Sequence, residues 1–161
     1  VLEMIASYPP ARGHPCMARI AFAAQNLKET FDADGLERII GCLLEAEQLS
    51  DDFFTICEFA HVHRQGVARN TTSLMHLLQV TSPKAAADVR WKRILIRAVE
   101  ALAAILREDE LSSIRAEVTR LGIQDPNLQQ KIFGRMRNLQ KEAGARKQRQ
   151  YRRGYDPVDD L

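Results

Sequence analysis

The chain has 161 residues, of which 45% are hydrophobic and 27% are charged. This composition is typical of a folded domain and excludes a chain too polar to bury a core. No apolar run approaches the roughly 18 residues that a membrane-spanning helix needs, so we expect no membrane partner. A chain of this length predicts one domain.

The cysteine content indicates a reducing compartment. The chain has three cysteines, Cys16, Cys42 and Cys57, so they cannot all pair with one another in disulfides. Two of them occupy core-facing or near-core helical positions. We therefore expect reduced thiols and an intracellular location, cytoplasmic or nuclear. Because the first residue is not Met, we also expect the chain to be part of a larger intracellular protein or assembly.

The first 15 residues contain no helical pattern. Pro9, Pro10 and Pro15 prevent regular helix over this stretch. We therefore predict an N-terminal arm over residues 1–15, lying on the surface or disordered.

Between residues 16 and 80, apolar side chains recur at steps of three and four, which predicts four helices. Asp34, Ser50 and Asn70 are the expected N-caps of the second, third and fourth. These helices cover approximately residues 16–31, 35–49, 51–65 and 70–80.

A fifth helix is predicted over the longest uninterrupted stretch, from Ser82 to Arg107. Ser82 is a suitable N-cap, Pro83 suits the first helical position, and no Gly or later Pro interrupts the run. Its apolar side, which includes Trp91 and Ile105, is wide enough to require packing from several neighbours. We therefore expect this helix to be the central element of the fold.

Two more helices are expected, one ending at Leu121 and one beginning at Pro126, and no segment alternates as a β-strand does. The predicted fold class is all-α. Six or seven helices would form an antiparallel bundle or a small α-superhelical stack around a central long helix, followed by a basic C-terminal tail. We place the single domain at residues 16–143 and a basic, flexible tail at residues 144–161.

Motifs for chemistry are weak. Cys57 and His61 are one helical turn apart, and His14 and Cys16 are two further ligand types for zinc, but no CxxC or HxxxH spacing occurs. A nucleophile elbow and a Gly-rich phosphate loop are also missing from the sequence. We therefore expect no metal, no cofactor and no enzymatic activity.

Residues 60–79 have some features of a helix-turn-helix. Gly66 stands where the turn would be, and small polar residues begin the next helix. Val62 departs from the pattern, because a small residue is usual where the two helices touch. Specific DNA binding through this segment is a minor alternative.

The basic segment from residue 131 to residue 153 is the feature most indicative of function. It carries nine Lys and Arg residues against one acidic residue, Glu142, which gives a net charge of +8. A helix needs far fewer charges for solvation, so we interpret the segment as a contact with an anionic partner. The candidate contact residues are Lys131, Arg135, Arg137, Lys141, Arg146, Lys147, Arg149, Arg152 and Arg153.

Two functions fit this segment. The first is a non-catalytic α-helical protein–protein interaction domain whose partner is another protein with an acidic surface. The alternative is a protein that binds RNA or DNA, because Lys and Arg that neutralise phosphates release counterions. The sequence alone leaves both open, together with the interpretation that the segment is a solvated helix end and tail without a partner.

Overall fold

The computed structural model of the protein describes residues 14–63 and 66–154, with side chains as far as residue 149. These residues form helices and no β-strand, which confirms the predicted all-α class. A short 3-10 turn, Lys28–Thr30, follows the first α-helix. The eight α-helices are α1 Pro15–Asn26, α2 Ala33–Glu45, α3 Asp51–His63, α4 Thr71–Val80, α5 Pro83–Ala87, α6 Val89–Leu102, α7 Glu108–Arg120 and α8 Pro126–Gly154.

Polar side chains fix where the helices begin. Side-chain oxygens of Ser50, Asn70 and Ser82 each accept the backbone N–H three residues later, at 3.3, 2.9 and 3.1 Å. These three predicted caps are confirmed. The predicted cap of α2 is wrong, because Asp32 rather than Asp34 accepts the N–H of Gly35, at 2.7 Å. The helix begins earlier as a result, and Asp34 lies in its first turn.

The predicted helix from Ser82 to Arg107 is two helices, so the described residues form eight α-helices instead of the expected six or seven. Asp88 has extended backbone dihedrals, and its carboxylate accepts the N–H of Arg90 at 2.8 Å and that of Trp91 at 3.4 Å. An aspartate competes well for such a capping position, so it ends α5 and begins α6. The longest described helix is α8, with 29 residues.

The end of α6 also differs from the prediction. The helix stops at Leu102, and a turn leads to Arg107 before α7 begins. The turn rotates Ile105 away from the apolar side, so its side chain is 67% exposed instead of packed. Leu106 remains fully buried.

The predicted burial of Trp91 is confirmed, since its side chain is 0% exposed. Helix α6 packs against α3, α4, α5 and α8, while the shorter α4 packs against α2, α6 and α7. Leu74, Leu77 and Leu78 of α4 are also fully buried. Two helices, α4 and α6, therefore hold central positions in a core to which every described α-helix contributes, and the packing is consistent with a helical bundle.

Arg120 joins the end of α4 to α7. Its guanidinium NH2 donates to the carbonyl oxygens of Leu78 at 2.7 Å and Thr81 at 3.2 Å. The last carbonyls of a helix have no partner within the helix, so Arg120 satisfies two groups that would otherwise need water.

At the N-terminal end, Pro15 is already the first residue of α1, and His14 caps that helix. The rest of the predicted arm, residues 1–13, lies outside the described residues. At the other end α8 continues to Gly154, so the part of the predicted tail up to that residue is helical. Residues 155–161 lie outside the described residues.

Candidate functional site

The first half of α8 is anchored to the body of the protein. Leu128 and Ile132 are buried in the core, and Met136 and Leu139 are partly buried against it. These four residues recur at three- and four-residue steps, so they form one apolar seam along the helix. They position the helix against α6 and α7.

Two of the predicted contact residues are used within the protein. The Nζ of Lys131 lies 3.0 Å from the carboxylate of Glu100 in α6. Arg135 lies 3.8 Å from Glu142, and its buried Nε has no hydrogen-bond partner. The Lys131 pair joins α8 to α6, whereas the Arg135 pair lies within α8, and both residues are less available to a partner.

The side chain of Gln140 marks the end of the anchored part. Its Nε2 donates to the carboxylate of Glu108, the first residue of α7, at 3.2 Å. Beyond this point every described side chain, from residue 141 to residue 149, is exposed. Residues 141–154 therefore extend α8 by roughly 20 Å. We call these residues the basic extension.

The remaining predicted contact residues are Arg137, just before the basic extension, and six residues within it. Arg137, Lys141, Arg146, Lys147 and Arg149 are exposed and make no ion pair with any described residue. Arg152 and Arg153 lie on the same helix, and their side chains are outside the described part of the structure.

The basic residues of the extension are concentrated on one side of the helix. At 100° per residue, the helical positions of five of its six Lys and Arg residues fall within an arc of about 140°. Lys147 is outside this arc. The five residues within it are Lys141, Arg146, Arg149, Arg152 and Arg153.

The electrostatic consequence is a side of the helix with a large excess of positive charge. Glu142 is the only acidic residue between residues 131 and 153; its helical position lies within the same arc, and it pairs with Arg135. Clustered exposed charges attract an opposite surface over about 10 Å at moderate salt, and the attraction decreases as salt rises. The extension has no apolar side chain larger than Ala between residues 141 and 149, so its contacts must be mainly ionic.

The geometry around Gly66 disfavours a helix-turn-helix. Between α3 and α4, residues 66–70 are described and non-helical, and they already form a longer connection than the three or four residues of that motif. Asn70 caps α4, and Arg69 forms ion pairs with Asp34 and Glu37 of α2. Both residues therefore have structural roles that account for their place in the sequence.

Cys57 and His61 do not form a reactive pair. The Cys57 side chain is 1% exposed, whereas His61 is exposed. Burial raises the pKa of the Cys57 thiol well above its usual range, and the nearby Glu58 carboxylate raises it further. The thiol is therefore protonated at neutral pH and is a poor nucleophile and ligand.

His14 is held by its own helix. Its Nδ1 accepts the N–H of Cys16 at 3.1 Å, as an N-cap does. Within residues 14–63 and 66–154, no three His, Cys, Asp or Glu side chains cluster as a metal site would require.

A groove between α3 and α6 was not predicted from the sequence. Its volume is about 560 Å³, and the chain from Gly66 to Ala68 closes one side. The small side chains of Ala98 and Ala101 are the only sequence signal for it, because they leave room beside α6. These two alanines indicate a groove only when α3, which lies about forty residues earlier in the chain, is known to pack beside α6.

Comparison of the chain with protein-family models, curated proteins and solved structures finds no match. Over the described part of the chain, no helix combines the length and apolar character required to cross a membrane.

Proposed function

We propose that the protein is a non-catalytic helical interaction domain that binds an acidic surface of another protein through the basic extension of α8. The observation that carries the proposal is the exposure of every described side chain from residue 141 to residue 149, with basic groups that lack partners. The apolar seam anchors the first half of α8 to the body of the protein, and the extension continues beyond it, where a partner can reach it.

An acidic protein is favoured over a nucleic acid by the scarcity of stacking groups in the extension. No aromatic residue lies between residues 141 and 149. The exposed Phe133 ring is covered by the Arg115 guanidinium, which lies 4.4 Å from the ring centroid. Proteins that bind single strands combine a basic groove with several exposed aromatic platforms, whereas Tyr151 is the single aromatic residue in the sequence of the extension.

Binding to a nucleic-acid duplex is the second candidate. The concentration of five basic positions on one side of a helix suits contact with a row of phosphates. Such binding would depend on charge and show little base preference, because phosphate contacts carry no direct sequence information.

The three cysteines support an intracellular location as part of this proposal. Cys42 and Cys57 are buried thiols, which suits a compartment in which thiols remain reduced.

The proposal is tested by measuring binding of the full chain to a poly-glutamate peptide and to a DNA duplex. A variant carrying Arg146→Gln, Lys147→Gln and Arg149→Gln should lose at least tenfold affinity for poly-glutamate. The matched control carries Arg19→Gln, Arg38→Gln and Arg93→Gln, which removes three exposed charges from α1, α2 and α6. It should bind as the parent does.

Equal losses in the two variants would show that net charge, rather than the extension, governs binding, and would overturn the proposal. Tighter binding to the duplex than to poly-glutamate at physiological salt would favour the second candidate.

A further inference from the structure

The groove between α3 and α6 has dimensions suited to a small molecule. Its volume of about 560 Å³ lies within the range of roughly 300–1,000 Å³ that is typical of ligand sites. It is separate from the basic extension, which begins at residue 141, and none of the residues that line it belongs to α8.

The walls of the groove are mainly apolar. Cys57 and Val62 contribute from α3, Ile94 and Ala98 from α6, and Val67 from the intervening chain. The Cys57 thiol is protonated because of its burial, so it acts here as a small apolar group. Moving a hydrocarbon chain from water into contact with these walls would be favourable in free energy.

Three ionisable side chains line the groove as well. Arg97 lies on α6, and Glu58 and His61 lie on α3. Arg97 is exposed and makes no ion pair with a described residue, so its guanidinium is available to an anion. Glu58 would repel an anion, which restricts the favourable position of an anionic group to the α6 side.

We propose that this groove binds a small amphipathic carboxylate, with a short hydrocarbon chain against Cys57, Val67 and Ile94 and the carboxylate on Arg97. A guanidinium can hold a carboxylate through two parallel N–H···O bonds, which gives both attraction and orientation. The neutral analogue keeps the apolar contacts and loses this ionic contact. Charge and shape together therefore distinguish the ligand class.

The test is a calorimetric or NMR titration of the full chain with sodium octanoate, and with octanamide as the neutral analogue. Octanoate should bind saturably and about three- to tenfold more tightly than octanamide, as expected for an exposed ionic contact. Arg97→Gln should remove this difference. Glu58→Gln should strengthen octanoate binding, because it removes the repulsion.

Two controls separate the groove from other surfaces. Arg93→Gln removes an exposed charge one helical turn away on α6 and should leave octanoate binding unchanged. Ala101→Phe places a ring at the exposed edge of the groove and should abolish binding of both molecules, while circular dichroism shows unchanged helix content.

The outcome is independent of the proposed function. The Arg146→Gln, Lys147→Gln, Arg149→Gln variant should bind octanoate as the parent does, whether or not it binds poly-glutamate. The proposed site is overturned if octanoate shows no saturable binding, or if Ala101→Phe leaves binding intact. Equal binding of octanoate to the parent and to Arg97→Gln would overturn the assignment of the carboxylate to Arg97.

Discussion

The indole Nε1–H of Trp91 donates a hydrogen bond to the hydroxyl oxygen of Thr81 at 3.1 Å, and both side chains are buried. The same hydroxyl donates to the carbonyl oxygen of Leu77 at 2.6 Å. A hydroxyl has one donor and two acceptor sites, so the Thr81 hydroxyl can accept the indole N–H of Trp91 and donate its own proton to Leu77 at the same time. This chain of two bonds joins the end of α4 to the start of α6.

Replacing Thr81 by Val should therefore destabilise the protein by about 1–3 kcal/mol, because the buried indole N–H would lose its acceptor. Urea unfolding followed by circular dichroism measures the change. Thr72→Val, at an exposed position of α4, is the control and should change stability by less than about 0.5 kcal/mol. Equal stability of the Thr81 variant and the parent would mean that the indole bond contributes nothing.

The ring of Trp91 should contribute more than its hydrogen bond. It is fully buried and packs against Phe53 with ring centroids 5.5 Å apart. Trp91→Ala should cost roughly 2–5 kcal/mol through lost burial and the cavity that remains. Val89→Ala, at a position of α6 that is 57% exposed, is the matched control and should have a small effect in the same unfolding experiment. A native fluorescence maximum typical of exposed tryptophan would contradict the predicted burial.

Glu110 makes the start of α7 sensitive to pH. Its carboxylate accepts the backbone N–H of Arg107 at 2.8 Å and a guanidinium N–H of the same residue at 3.3 Å, and these bonds lower the pKa of Glu110. A lowered carboxyl pKa contributes stability above the unfolded-state pKa, and this contribution is lost as the pH falls through the folded-state pKa. The melting temperature of Glu110→Gln should therefore lie below that of the parent at neutral pH and approach it in acid.

Asp109→Asn is the control for this measurement. Asp109 is exposed and lies 3.8 Å from the Arg107 guanidinium, so Asp109→Asn should lower the melting temperature at neutral pH less than Glu110→Gln does. A constant difference between Glu110→Gln and the parent at every pH would show that packing, rather than charge, explains the effect.

Gly144 weakens the basic extension near its middle. A Cβ at this position would meet nothing within 4 Å, and glycine within a helix costs about 1 kcal/mol relative to alanine. Gly144→Ala should therefore slow amide hydrogen exchange around residue 144 without altering the core. Gly122→Ala is a control of opposite sign, because Gly122 has a φ of +67° that an alanine adopts only with strain. Gly122→Ala should lower the stability of the whole protein. Faster amide exchange around residue 144 in Gly144→Ala would contradict the helical extension.

Local capping chemistry explains which parts of the fold were predictable. Ser50, Asn70 and Ser82 act through atoms within a few residues, so the sequence was enough to identify them. The break at Asp88 was missed because no Gly or Pro accompanies it and Ala residues precede it. Whether such an aspartate caps or continues a helix depends on how the flanking helices pack.

The candidate site shows a similar division. Charge counting was enough to locate the basic segment, but the pairing of Lys131 with Glu100 depends on how α8 lies across α6. The continuation of α8 to Gly154 was also uncertain from sequence, because the apolar period ends near Leu139 and no packing signal remains. The groove involves two helices distant in sequence and gave no periodic signal.

The most direct measurement of the central claim is an amide chemical-shift map of the full chain during titration with poly-glutamate. The account predicts shift changes concentrated from Arg137 to Gly154, decreasing as salt is added, with the core residues around Trp91 unaffected. Changes concentrated instead on the exposed side of α4, at Thr72, His76 and Gln79, with none beyond Lys141, would contradict the assignment of the basic extension as the contact surface.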